Sequence, residues 1–293
     1  MNEFGRSRGT DDPDGSSTGK LLVAATPMGR FDDASPRLRE ALACADVVAA
    51  EDTRRALNLA GGLGVTVSGR IVSYYDQVEA GRTPTLVADI RGGATVLLIS
   101  DAGMPSVSDP GYRLVAATVE AGLAITCLPG PSAVTTAVAL SGLPVERFCF
   151  DGFAPRKPGR RRRWLLTLVA EERAVVFFES PHRIADTLTE AVEVLGPDRR
   201  GAVCRELTKV YEEVRRGTLA ELAEWSANGL RGEVTVVFAG ADAAEADPED
   251  LVDEVQQLVD SGERLKDACA AVAQRHGASK RELYQAVLAA RDD

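Results

Sequence analysis

Short apolar runs recur along the first half of the chain, at 21–25, 46–50, 71–75, 94–99 and 123–128. Each is nearly continuous rather than alternating, as expected of strands covered on both faces. The stretches between them carry helical spacing. In 36–45, Leu38, Ala41, Leu42 and Ala45 fall on one face, behind the start signal Ser35-Pro36. Further helices are predicted after the run Glu51–Arg55 to about residue 60, stopped by Gly61-Gly62, over 84–90, and over 110–121, stopped by Gly122. Strands that alternate with helices in this way predict a parallel sheet, and ligands of such sheets sit beyond the carboxyl ends of the strands.

The densest chemistry lies at 97–112, where the fourth strand runs into a loop of small residues and then Asp109-Pro110. Asp followed by Pro predicts an N-cap and first helical position. Strand, small-residue loop and helix start together make a ligand cradle, with free amides and a glycine, Gly103, that lets a ligand approach the backbone. An ordinary strand-to-helix turn has the same outline.

After a small-residue helix over 132–140, strands are predicted at 148–150, 174–178, 202–204, 214–217 and 232–240, and a helix from Thr218 through Leu222. The links are shorter and one pair is hairpin-like, so this second sheet is expected to be mixed. The fold class is therefore α/β, with two α/β domains, an N-terminal one at 20–131 and a C-terminal one at 132–240. Residues 1–19 are rich in Gly, Ser and Asp and read as a disordered tail. Residues 241–249 are an acidic linker. Residues 250–293 form a helix-turn-helix-like appendage with Lys280 and Arg281 opening its last helix. A plain helical hairpin fits that outline equally.

Charge and composition narrow the chemistry. The formal net charge is −10, which argues against non-specific nucleic-acid binding by the whole surface but not against a local basic face. Five scattered cysteines without a CxxC pair read as reduced thiols of a cytoplasmic protein, and two histidines make a histidine-based metal site improbable. No apolar run has the length of a membrane span. No phosphate loop, nucleophile elbow or dinucleotide fingerprint is present.

Eight motifs then occur in one order: ATPMG at 25–29, AEDTRR at 50–55, SDAGMPSVSDPGY at 100–112, LPGPSA at 128–133, SGLP at 141–144, GFAPRKPGRRR at 152–162, FFESPHR at 177–183 and RELTK at 205–209. This set closely resembles the bacterial small-subunit rRNA (cytidine-2′-O)-methyltransferases, a branch of the tetrapyrrole methylase-like superfamily. The resemblance covers 20–240, and the appendage is similar to that branch's helix-turn-helix. It implies a homodimer that binds S-adenosylmethionine between two α/β domains and methylates a cytidine ribose in the decoding region of 16S rRNA. Carried onto this chain, it implies cofactor contacts at Pro27, Asp101, Gly103, Val107, Ser108, Ser132 and Ala133, closed from the second domain by Phe178, Leu207 and Ala239. Two other functions stay open: methylation of a small tetrapyrrole, and DNA-binding regulation through the appendage.

A ribose hydroxyl is a poor nucleophile, so proton removal or strict orientation is needed. Candidate groups follow strand ends. Glu206 and Lys209 are expected nearest the chemistry, with Glu179 and His182 as a second cluster. Ser180-Pro181 beside the latter also reads as helix capping. Arg156, Lys157 and Arg160, Arg161, Arg162, Arg163, flanked by Phe153 and Trp164, are expected to be a flexible arm for RNA phosphates, together with Arg54. A solvated charged face is the alternative.

Overall fold

The computed structural model describes residues 19–241 and 248–292. The predicted tail at 1–19, apart from Gly19, and residues 242–247 of the predicted linker at 241–249 lie outside the described residues; the linker's last two residues instead open a short 3-10 helix, Pro248–Leu251. The first sheet holds β1 (Lys20–Ala24), β2 (Val47–Ala50), β3 (Arg70–Ser73), β4 (Thr95–Ile99) and β5 (Ala124–Leu128). Their order is β3-β2-β4-β1-β5, and every pairing is parallel. Two apolar layers sandwich it. Leu38 and Leu42 of α1 (Pro36–Cys44) pack on one face, and Leu86 and Ile90 of α3 (Asp76–Arg91) with Leu114 on the other. Ser35 caps α1 as predicted, its hydroxyl accepting from the Leu38 amide at 3.1 Å.

Two helix starts differ from expectation. α3 begins at Asp76, eight residues before the proline expected to open it, and takes Pro84 into its interior. Tyr74, fully buried, pins that turn through a 2.9 Å hydrogen bond to Thr83. α4 (Tyr112–Glu120) begins after Asp109-Pro110, with Gly111 at the N-cap and no side-chain cap. Gly111 has φ +143°, and Ser106 and Ser108 have φ of +69° and +63°. These left-handed turns redirect the chain, so Asp109 is not the cap its sequence suggested.

The second sheet holds β6 (Phe148–Phe153), β7 (Ala174–Glu179), β8 (Arg200–Arg205), β9 (Glu213–Thr218) and β10 (Val234–Phe238), ordered β6-β7-β10-β8-β9. Only β6–β7 is parallel, and β10 runs antiparallel to both neighbours. Val234 therefore sits opposite Glu179, at the end of the sheet that faces the first domain. On the near face, α5 (Ala133–Ser141) buries Val134 and Ala137 against Val176, Ala202 and Val237. On the far face, α6 (Pro158–Thr167), α7 (Ile184–Leu195) and α8 (Leu219–Ser226) cover Phe177 and Phe238. The arginine run forms α6, so it is a packed helix and not a flexible arm.

The appendage has its own core. Val255 of α9 (Val252–Asp260), Cys269 and Val272 of α10 (Leu265–His276), and Leu283 and Val287 of α11 (Lys280–Asp292) are fully buried together. Gly277, at φ +68°, ends α10 and turns the chain into α11. No helix among the described residues is long and apolar enough to cross a membrane.

Candidate active site

The carboxyl ends of β1, β2, β4 and β5 face the second sheet across a cleft of about 410 Å3, within the usual range of ligand pockets. From the first domain come Glu51, Asp101, Gly103, Val107, Ser108 and Asp109, and from the α5 start Ser132 and Ala133. From the second domain come Phe153, Phe178, Glu179 and the stretch 232–235. A smaller hollow of about 230 Å3 adjoins it through Met28, Arg55 and Asp101, and Pro27 lines that one.

Gly103 is held by a two-way bridge to Thr26: each amide donates to the other's carbonyl, at 2.8 and 3.0 Å. Its amide is thus not free for a ligand, contrary to the cradle expectation. Its φ of +81° suits glycine, and a Cβ there would meet only the Pro131 carbonyl at 3.8 Å, so space beside it is open. The Ser132 side chain makes no cap bond to α5. The first amides of that helix therefore keep capacity for an anion. Across the cleft, Phe178 meets Phe150 and Phe153 edge-on at 5.0 and 5.4 Å, an apolar face suited to a flat base.

The acids of the first domain form the opposite character. Asp101 accepts from the Asp52 amide at 3.2 Å and pairs with Arg55 at 3.1 Å. Burial pushes the Glu51 and Asp101 carboxyls up. Asp109 is affected most, reaching about 7, through burial first and then the neighbouring charge of Glu51. The local sequence at Asp109 signals a helix cap at the edge of the predicted cradle and gives no sign that its carboxyl is half-buried in the cleft wall.

The second-domain candidates sort by position. Glu179 lines the cleft, yet its carboxylate is saturated. It accepts from the Ser180 amide at 2.7 Å and Thr187 at 2.6 Å, and pairs with Arg183 at 2.5 Å. His182 is exposed and off the lining, and Ser180-Pro181 form a turn ahead of α7 rather than its cap. Glu206 and Lys209 stand behind the wall. Glu206 accepts from Lys209 and from the Glu233 amide, both at 2.9 Å, and Lys209 also reaches Glu233 at 3.0 Å. The Glu233 amide and then Lys209 hold the Glu206 carboxyl below its ordinary range. Leu207 is buried among Met28, Val107, Ala133 and Phe178, so it packs beneath the cleft. Ala239 is corrected: β10 is antiparallel, so its carboxyl end lies at the far end of the sheet, where the Ala239 amide bonds to Arg200. Gly232 to Thr235, at the other end of the same strand, supply the wall instead.

The same loop bridges the domains. Arg30 donates to the Thr208 carbonyl at 3.2 Å, and Glu206 and Thr208 take φ of +51° and +64°. Such strained non-glycine residues gather where surrounding structure fixes a site. Gly232, at φ +88°, has the Glu206 carboxyl group where a Cβ would go, 2.4 Å away. Gly232→Ala is expected to cost about 1–3 kcal/mol in urea unfolding. Gly61→Ala, in open space on α2 (Thr53–Gly62), is expected to stabilise by about 0.4–1 kcal/mol.

Of the basic candidates, Arg156, Lys157, Arg160, Arg162 and Arg163 are exposed. Arg162 pairs with Glu193 at 3.1 Å, while Arg161 is buried against Glu190 at 2.6 Å. Arg54 is exposed and folds onto Asp52 at 3.0 Å. Among the described residues no group of histidines, cysteines and carboxylates is placed to hold a metal ion.

The family Tetrapyrrole (Corrin/Porphyrin) Methylases matches residues 20–223, and the family RsmI C-terminal HTH domain matches 245–291. Ribosomal RNA small subunit methyltransferase I of Mycobacterium tuberculosis (strain H37Rv) is 59% identical over 276 residues, 94% of this chain and 96% of that protein. The chain belongs to the ribosomal RNA small subunit methyltransferase I family. A member of that family from Escherichia coli O157:H7 is 38% identical over 277 residues, 93% of this chain and 96% of that protein. The fold is shared more widely. The crystal structure of uroporphyrin-III-C-methyltransferase from Thermus thermophilus superposes with a TM-score of 0.54 at 21% identity, over 75% of this chain and 94% of that one. The methyltransferase I family thus combines a tetrapyrrole methylase core with the helical appendage seen here.

Proposed function

We propose that this chain transfers the methyl group of S-adenosylmethionine to the ribose 2′ oxygen of a cytidine in 16S rRNA. The observation that carries the reading is the inter-domain cleft of a methyltransferase I family member, walled by Asp101, Gly103, Ser132 and Phe178. The residues fit the cofactor. The uncapped start of α5 suits a carboxylate, Phe178 and Val107 an adenine, and the half-buried Asp101 a cationic donor. When bound, the cofactor supplies an electrophilic methyl group. Asp101, Gly103, Val107, Ser108, Ser132, Ala133 and Phe178 are assigned to hold it, with Pro27 on the adjoining hollow and Leu207 supporting from below. Glu206 and Lys209 are assigned to position the 232–235 wall, and Glu179 to brace it.

Arg156, Lys157, Arg160, Arg162 and Arg163 are assigned to the RNA backbone, with Arg54 on the opposite rim. A homodimer is supported by β5, an edge strand exposed over Ala124, Ile125, Thr126 and Cys127 in a sheet type normally covered on both faces. The boundary near 131 is supported by the packing of α5 on the second sheet. A cytoplasmic site of action follows from the substrate. Purified protein with labelled cofactor is expected to methylate 16S rRNA or small subunits, with a 2′-O-methylcytidine in the nucleoside digest. Labelling of a precorrin instead of rRNA would move the reading to a small tetrapyrrole substrate.

A further inference from the structure

Asp109 is the carboxyl in the cleft that the fold goes furthest to place. Ser108 before it and Gly111 after it hold left-handed backbone, and Pro110 and Gly111 are buried. The turn spends a ready-made cap signal on placing Asp109 in the wall of the cleft that Gly103, Ser132 and Phe178 also line. The Ser100 hydroxyl, which donates to the Gly103 carbonyl at 3.4 Å, lies near enough to Asp109 to oppose the rise of its carboxyl. No arginine or lysine among the described residues forms an ion pair with it. Glu51, Asp101 and Asp76 surround it on the first-domain side, where Arg55 is engaged by Asp101. Across the cleft, Glu179 is held by Arg183 and Glu233 by Lys209. Asp101, Glu179 and Glu233 are thus held by cations and Glu51 accepts from the Asp101 amide at 3.3 Å, while burial with the charge of Glu51 leaves Asp109 titrating at about 7. A general base works best near the operating pH.

We propose that Asp109 is the proton acceptor for the rRNA 2′-hydroxyl during methyl transfer. This rests on the function proposed above. The 2′ oxygen forms its bond to the methyl carbon as the carbon–sulfur bond breaks. The sulfur keeps that electron pair and loses its positive charge. The hydroxyl proton passes to a carboxylate oxygen of Asp109, which afterwards releases it to water.

The test combines single-turnover methylation of small subunits, at saturating cofactor from pH 5.5 to 9, with calorimetric titration of S-adenosylmethionine. Wild type is expected to gain about tenfold in rate per pH unit below 7 and then level off. Asp109→Asn is expected to lose about 10²–10⁴-fold in that rate, to lose the acid limb, and to keep its cofactor Kd within about threefold. Asp109→Glu is expected to restore part of the rate. Ser100→Ala removes a hydroxyl that favours the Asp109 carboxylate, so its acid limb is expected to move to higher pH. Asp109→Asn within threefold of wild-type rate would overturn the proposal, and so would a loss that follows cofactor affinity alone or an acid limb unmoved in both variants. Wild type that methylates no ribose oxygen would overturn the function itself, a separate result.

Discussion

Glu179→Ala is expected to lower the unfolding free energy by about 3–5 kcal/mol in urea titrations, the range for removing one partner of a buried ion pair. The Glu179 side chain is fully buried and satisfies three donors at once: the Arg183 guanidinium, the Ser180 amide and the Thr187 hydroxyl. Truncation strands the amide and the hydroxyl and leaves Arg183 only the Ala154 carbonyl, at 3.4 Å. The Ser180 amide and Arg183 also bound the turn that opens α7, so the loss spreads along that helix. Glu179→Gln keeps an acceptor for Thr187 and the shape of the side chain, and is expected to cost clearly less. A Glu179→Ala protein as stable as wild type, yet inactive, would return this residue to the chemistry.

That reversal of role shows what one chain's letters carry. The apolar runs predict all five strands of the first sheet within a residue or two, because a strand buried on both faces has no other pattern to show. The run 94–99 becomes β4 and 123–128 becomes β5 with almost no adjustment. Strand direction is different. Nothing within VTVVF says that β10 runs against its neighbours, so the expected cleft residue is Ala239 while the actual wall lies at 232–235. Asp109-Pro110 fails for a related reason. Its local signal is sound, but the left-handed backbone at Ser106, Ser108 and Gly111 overrides it, and neither serine announces that conformation. Glu206 and Lys209 are legible as residues at a strand end. That they satisfy each other and Glu233 is a fact of tertiary structure alone. Local pattern thus locates the cleft, while the division of labour among its acids depends on which of them find partners.

The arginine run shows the same division within four consecutive residues. Arg161→Ala is expected to cost about 3 kcal/mol, since it removes a buried guanidinium and leaves the half-buried Glu190 without its cation. The RNA affinity of the folded fraction should stay near wild type. Replacing Arg160 and Arg163 with serine is expected to do the reverse. Both are exposed and without a carboxylate partner among the described residues, so stability should move by no more than about 0.5 kcal/mol. Affinity for 16S rRNA should fall, and the slope of log K against log salt should flatten by about 0.7–0.9 for each phosphate that is no longer neutralised. Helical spacing makes this possible. One face of α6 turns Arg161 and Leu165 toward α7 and the core, and the others meet solvent. Binding titrations at several salt concentrations, set beside urea unfolding of the same proteins, separate the two effects. If Arg161→Ala kept full stability and abolished the salt slope, the run would be the flexible arm that its sequence suggested.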